Sequence, residues 1–143
     1  MARDLVASLQ MFKSNPNISS RQNQILQELS KCDDEMSGQE LHRTLHASES
    51  AMGLATVYRN LQTLVTKGLV RSRNLPTGEV LYALVERDFH HLTCLECGTT
   101  TRLKTCPVEN INLPKNQTKN FELLFHTLEF FGICQECSQL QKS

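Results

Sequence analysis

No run of about 18 apolar residues occurs in the 143-residue chain, so no segment has the length and composition of a membrane-spanning helix. The opening stretch, MARDLVASLQMFKS, carries an acid near its start and lacks a long apolar block before a small-residue cleavage site. That argues against a secretory leader and for a cytoplasmic protein. An excess of either charge is missing too, because 15 Lys and Arg balance 15 Asp and Glu. No overall basic field draws in nucleic acid, and any DNA binding must be local. Internal repeats and low-complexity tracts are absent, apart from a CxxC pattern that occurs twice. The length fits one ordinary domain, or two small ones each too thin to rest on a large core.

Cysteine, by contrast, is plentiful at 6 residues, and unevenly spread. Residues 1–85 hold only Cys32, which has no partner in sequence and reads as a free thiol; the other cysteines all lie in residues 86–143. In a reducing compartment, two CxxC pairs read better as a metal site than as disulfides. The chemistry changes at VERD, residues 85–88, which sets a domain boundary there: helical periodicity in 1–85, strand-like alternation in 86–143.

In the first part, Ile25, Leu26 and Leu29 fall at helical spacing behind serines that can cap, which predicts a helix over 21–31. Ser37 and Glu40 form the S-x-x-E pattern of a capping box and predict a second helix over 38–47. A third helix, in LATVYRNLQTLVTKGLV, carries Leu54, Val57, Leu61, Leu64 and Val65 on one face, with Gly68 placed to end it in a left-handed cap. Its other face shows Arg59, Gln62, Thr63 and Thr66, beside the flat hydroxylated ring of Tyr58; with Thr56 these suit phosphates and base edges. Residues 1–85 carry 9 Lys and Arg against 8 Asp and Glu, yet from Arg59 to Arg73 the only charges are basic: Arg59, Lys67, Arg71 and Arg73. That segment is the electrostatic candidate. Two strands around a turn with Pro76 and Gly78 follow, in LVRSRNLPTGEVLYALV. Three helices and a two-stranded wing describe a winged helix with its third helix as major-groove reader. The competing reading is a plain solvated helix face; the wing and the clustered bases favour DNA.

The second part reads as a strand over 90–95, a knuckle, a strand over 99–103, a short helix from Pro107 limited by Pro114, and a long strand over 121–133. Alternation on that last strand sets His126 among Leu124, Leu128 and Phe130, where a polar ring needs a partner. The fold class expected is α+β, a winged-helix domain followed by an α/β zinc-containing domain.

Cys94 and Cys97, with Cys134 and Cys137, supply four thiolates in two bites, which closes a tetrahedral zinc site with no open position. Such a site is structural, and its binding free energy, about 10 to 16 kcal/mol in small zinc peptides, goes into folding. A thioredoxin-like redox pair is the alternative, but the βαβ context it needs is missing. The remaining ligand candidates are His90, His91, Cys106, Glu109, His126 and Glu129, with Asp88 at the edge. One thiolate with imidazoles and a carboxylate favours zinc over iron or manganese. The blander readings are a small buried Cys106 and a satisfied core His126. His42 and His46, at i and i+4, can chelate a metal but read as a solvated face.

These residues together resemble the ferric uptake regulator (Fur) family of dimeric, metal-dependent DNA-binding repressors. GLATVYRNLQTLVTKGLV is similar to the family's recognition helix, with Tyr58 and Arg59 at its DNA-reading positions; HHLTCLECG is similar to its histidine-rich strand and first CxxC, and FHTLEFFGICQEC to its second. The resemblance implies structural zinc at Cys94, Cys97, Cys134 and Cys137, and a second metal site at Asp88, His90, Glu109 and His126. The family's hinge sensor is only partly matched: His91 fits, but Tyr82, Phe89 and Arg102 stand where other members carry ligands.

Cys106 is foreign to the iron-sensing pattern, so the expected subgroup is that of the zinc uptake regulators. Its sensor would combine Cys106, His126 and His90 with Glu109 or Asp88, and less firmly His91. The resemblance further implies a homodimer through the second domain, a near-palindromic DNA operator, no membrane, no small-molecule substrate, and repression of zinc-import genes when zinc is ample. The rivals are an iron, manganese or peroxide sensor of the same family, an enzyme with a catalytic zinc, for which no HExxH motif exists, and a zinc-stapled protein-interaction module.

Overall fold

A computed structural model of the chain describes residues 17–48, 51–87, 90–108 and 112–142. The chain divides after Glu86 into two compact units.

In the first unit, helix α1 (Ser20–Lys31) begins at Ser19, whose side chain accepts from the Gln22 N–H at 3.2 Å while the Ser19 N–H donates to Gln22 Oε1 at 3.2 Å. This is a full reciprocal capping box, which satisfies two donors that the helix start leaves open. A short strand β1 (Met36–Ser37) leads into α2 (Gly38–Ala47), where Ser37 Oγ accepts from the Glu40 N–H at 3.1 Å. The S-x-x-E pattern read from the sequence marks this helix start, while the complete box sits one helix earlier. Helix α3 (Leu54–Thr66) ends as its glycine requires: Gly68 adopts φ 74°, the Gly68 N–H donates to Val65 O, and the Leu69 N–H donates to Leu64 O, both at 3.0 Å. These are the paired bonds of a Schellman cap, a backbone turn costly for any residue with a Cβ.

Strands β2 (Val70–Asn74) and β3 (Val80–Leu84) form an antiparallel wing in register Val70 to Leu84, and β1 adds to its other side, giving the order β1-β3-β2. Between them Gly78 turns the chain at φ 90°, closed by Leu75 N–H to Glu79 O at 2.8 Å. The three helices pack against this sheet through Ile25, Leu26, Leu29, Leu41, Leu45, Val57, Leu61 and Leu64, all at most 1% exposed. Two expectations need correction. Leu54, assigned to the apolar face of α3, is exposed, because it lies in the first turn, ahead of the turn that meets the core. The basic run is also less free than its composition suggests. Arg71 is buried, and Lys67 Nζ donates to Asn17 O at 2.5 Å. Arg73 forks onto Glu35 through Nε at 3.1 Å and Nη2 at 2.7 Å. An acid 38 residues upstream in sequence thus neutralises a base that the linear charge pattern left open. Of these four bases, Arg59 on α3 is the exposed one for which no such tie is seen among the described residues.

The second unit is a sheet of β4 (His90–Cys94), β5 (Thr100–Leu103) and β6 (Glu129–Gly132), with a terminal helix α4 (Gln135–Lys142). β4 is central, antiparallel to β5 and parallel to β6. The long strand expected over 121–133 is regular only over Glu129–Gly132, the stretch that finds a ladder partner on β4. No helix follows Pro107 among the described residues: Pro107 and Val108 are irregular, and turns occupy the stretch near Pro114. Helix α4 was not anticipated from the sequence.

The Arg73–Glu35 fork lies largely out of water, with side chains 16% and 8% exposed. Glu35→Ala removes one charge and strands the other, so it is expected to lower the stability of the first unit by about 1–3 kcal/mol in urea unfolding followed by helix signal.

Candidate metal centres and the exposed helix face

One atom from each of Cys94, Cys97, Cys134 and Cys137 lies within 4.8 Å of every other. The sequence builds this cluster from two knuckles. β4 ends at Cys94, the chain reverses through Gly98 at φ 77°, and the Gly98 N–H returns to Cys94 O at 3.0 Å. The parallel pairing of Cys94 with Gly132, with Leu95 N–H to Gly132 O at 2.9 Å, brings the second knuckle alongside. Cys134 then precedes α4, and Cys137 falls in the first turn of that helix.

All six cysteines are free thiols. Cys97 Sγ and Cys134 Sγ stand 3.8 Å apart, far beyond a disulfide and equal to the edge of a tetrahedron with metal–sulfur bonds of about 2.3 Å, which is about 3.8 Å.

The electrostatics fit the same reading. The backbone N–H groups of Cys97 and Cys134 hold the Cys94 thiol down to about 6, and the Thr99 hydroxyl lowers Cys97. Cys137 moves the other way, pushed far up first by the Cys134 thiol beside it and then by burial. A lowered thiol favours the fold as pH rises from about 6 toward its ordinary value of 9.0, and a raised one opposes it above that value. Four thiolates this close repel one another, and a dication bound among them would offset that repulsion. The donor set and spacing fit zinc.

A second cluster joins His90, Cys106 and His126, again with ligand atoms within 4.8 Å. Cys106 Sγ lies 3.6 Å from His126 Nε2, and the rings of His90 and His126 stack at 5.2 Å and 24°. His90 is fully buried at the start of β4. One thiol and two imidazoles fit zinc better than a hard oxygen-seeking ion. Asp88 and Glu109, the carboxylates expected to complete this set, lie outside the described residues, as does Phe89.

His91 is not part of this cluster. As the next residue on β4 it points to the opposite sheet face, where it stands between Arg102 on β5 and Glu129 on β6 in the ladder. Tyr82 belongs to the core of the first unit.

On α3 the expected DNA-facing residues share the side opposite Val57, Leu61 and Leu64: Tyr58, Arg59 and Gln62 are exposed, Thr56 and Thr63 half-buried. The Thr63 hydroxyl donates to Arg59 O at 3.1 Å, so it is engaged with its own helix. His42 and His46 meet edge to face at 4.6 Å on α2, with no third ligand beside them among the described residues.

Comparison with known proteins gives consistent matches. The sequence profile of the Ferric uptake regulator family matches residues 13–131. The Zinc uptake regulation protein of Mycobacterium tuberculosis is 37% identical over 110 residues, 76% of this chain and 85% of that protein. Among solved structures, the Vibrio cholerae ferric uptake regulator is 27% identical with a TM-score of 0.54, over 82% of this chain and 92% of that one. The Pseudomonas aeruginosa ferric uptake regulator, solved with manganese, is 25% identical with a TM-score of 0.62, over 83% and 90%.

Because β4 carries both Cys94 and His90, Cys134→Ser is expected to empty both centres. Metal analysis of the purified variant should then find less than one zinc per chain, and the strand contribution of residues 90–142 should be lost from circular dichroism while the helices of the first unit persist.

Proposed function

The chain belongs to the ferric uptake regulator family, and on that footing we propose that it is a zinc-responsive, dimeric DNA-binding repressor of zinc-uptake genes, acting in the cytoplasm. The observation that carries the choice of zinc is the thiol of Cys106 lying 3.6 Å from His126 Nε2, beside the buried ring of His90. A soft thiolate in a small mixed shell selects zinc over iron or manganese, whose preferred partners are imidazole and carboxylate. The likeness to the Mycobacterium tuberculosis Zinc uptake regulation protein supports the same choice.

The two clusters divide the work. Cys94, Cys97, Cys134 and Cys137 form a closed set of four thiols, suited to a permanent structural ion. His90, Cys106 and His126 supply three donors, and one carboxylate from Asp88 or Glu109 completes a set of four. Zinc supplies a dication that neutralises this thiolate and joins β4 to the segments bearing Cys106 and His126. Occupancy of this site biases the dimer toward the conformation that fits DNA, and linkage requires DNA to tighten zinc by the same factor. Thr56, Tyr58, Arg59, Gln62 and Thr63 of each copy then face the major groove. A two-fold dimer addresses half-sites about one turn apart, roughly 34–36 Å, in a near-palindrome.

Zinc titration with DNA binding followed in parallel tests the assignment. Cys106→Ser is expected to keep its structural zinc, lose the second ion, and lose the zinc dependence of DNA binding. A variant that holds two ions per chain and responds as wild type rules the sensor out. Arg59→Ala is expected to keep both ions and the dimer while weakening DNA binding about tenfold or more.

A further inference from the structure

Gly38 opens α2, and nothing in its own backbone calls for glycine, since the glycines at positive φ are Gly68, Gly78 and Gly98. Glycine is also a poorer helix residue than alanine. What excludes a side chain is Tyr58. A Cβ on Gly38 would lie 2.5 Å from Tyr58 Cε1, 2.6 Å from Cζ and 2.9 Å from Oη. The hydroxyl end of the Tyr58 ring, rooted on α3, therefore rests directly on the bare backbone of α2, while the residue as a whole stays 40% exposed. The recess it enters runs on past Ser37 and Gln39 to Gly78, Glu79 and Val80 at the tip of the wing.

An added methyl cannot move α2 or α3, because Leu41, Leu45, Val57 and Leu61 lock both helices into the core. The part free to yield is the half-exposed ring. Gly38 thus holds no burden of stability that alanine would fail to meet; what it controls is the direction of Tyr58.

We propose that Gly38 is a positioning residue for DNA reading: by leaving its Cβ position empty it seats the Tyr58 ring against the start of α2 and fixes where the phenolic hydroxyl meets the duplex. The proposal rests on the reading of Tyr58 as a DNA-contacting residue given above.

The test uses the full-length zinc-loaded protein and a duplex that the wild type selects from a random-sequence pool. Gly38→Ala is expected to lower affinity for that duplex about tenfold, the scale of one lost positioned contact, with an unchanged or higher melting temperature. Tyr58→Ala is expected to lose at least as much, and adding Gly38→Ala to it should cost nothing further, as a double-mutant cycle reads for coupled residues. A second readout needs no DNA. The chain has two tyrosines and no tryptophan, and Tyr82 is buried, so acrylamide quenching of tyrosine emission reports mainly on Tyr58 and should increase in Gly38→Ala. Wild-type affinity and quenching in Gly38→Ala overturn the proposal, and so does an affinity loss that persists in full on the Tyr58→Ala background. If Tyr58→Ala itself binds like wild type, the DNA-reading role of Tyr58 falls first and the positioning role with it.

Discussion

The second unit has almost no apolar core of its own, and the rest of its structure follows from that. Between residues 90 and 142 the buried side chains among those described are His90, His91 and Cys94, whereas the first unit buries a contiguous cluster from Ile25 to Leu84. A three-stranded sheet of four- and five-residue strands cannot offset its ordering entropy with so little burial. The four-thiol cluster is the compensating term. It ties the end of β4 to the start of α4 across 36 intervening residues, and a structural zinc at such a site contributes about 10 to 16 kcal/mol in small peptides. The first unit needs no such help, and none of the four thiols lies in it.

The same shortage accounts for the surface. Phe121, Leu123, Leu124, Phe130 and Phe131 are exposed, Phe121 at 81%, and a groove of about 690 Å³ opens beside Leu113, Phe121 and Leu123. An apolar surface of this kind, on a unit with few buried side chains, marks an interaction face. Members of this family are DNA-binding regulators that dimerise, and residues 121–128, extended in sequence pattern yet without a ladder partner in one copy, are the segment with most to gain from a second chain. Metal and dimer would then be complementary sources of stability for one thin unit, the thiols closing it at one end of the sheet and a second chain able to cover what the sheet leaves bare.

What the sequence made legible was what local chemistry decides. Ser37 begins α2, Gly68 ends α3 in the left-handed turn that only glycine enters cheaply, and Val57, Leu61 and Leu64 at helical spacing meet the core. The two CxxC knuckles could be paired because a thiolate has few other reasons to recur at that interval. Two of the errors have a different cause, a partner distant in sequence. Arg73 counted as a free base until Glu35 met it across 38 residues. The strand over 121–133 was drawn from its alternation, but strand structure needs a neighbour and β4 reaches only residues 129–132. Pro107 invited a helix start, yet the chain spends Cys106 Sγ on Val108 O at 2.9 Å and stays irregular there. Helix α4 escaped notice because QECSQLQK has no apolar face of its own, and its position is set by the thiols at its start.

The alternation of one strand finally orders the two metal centres. His90, Leu92 and Cys94 share a face of β4, with His90 given to the mixed cluster and Cys94 to the four-thiol cluster, about 13 Å apart along the strand. His91 and Thr93 face the other way, and His91 stands in a ladder row with Arg102 and Glu129. A single residue of register therefore separates the two histidines, and of the doublet only His90 reaches the mixed cluster. On the proposed assignment, the dependence between the centres is also one-sided. The four-thiol set lies at the end of β4 beside its pairing with β6, and His90 at the start of the same strand stacks on His126. The mixed set draws on Cys106 and His126, neither of which braces the knuckles. On the assignment proposed above, a permanent ion would build the frame on which a variable one is read, and Cys106 could tune the second site without disturbing the first.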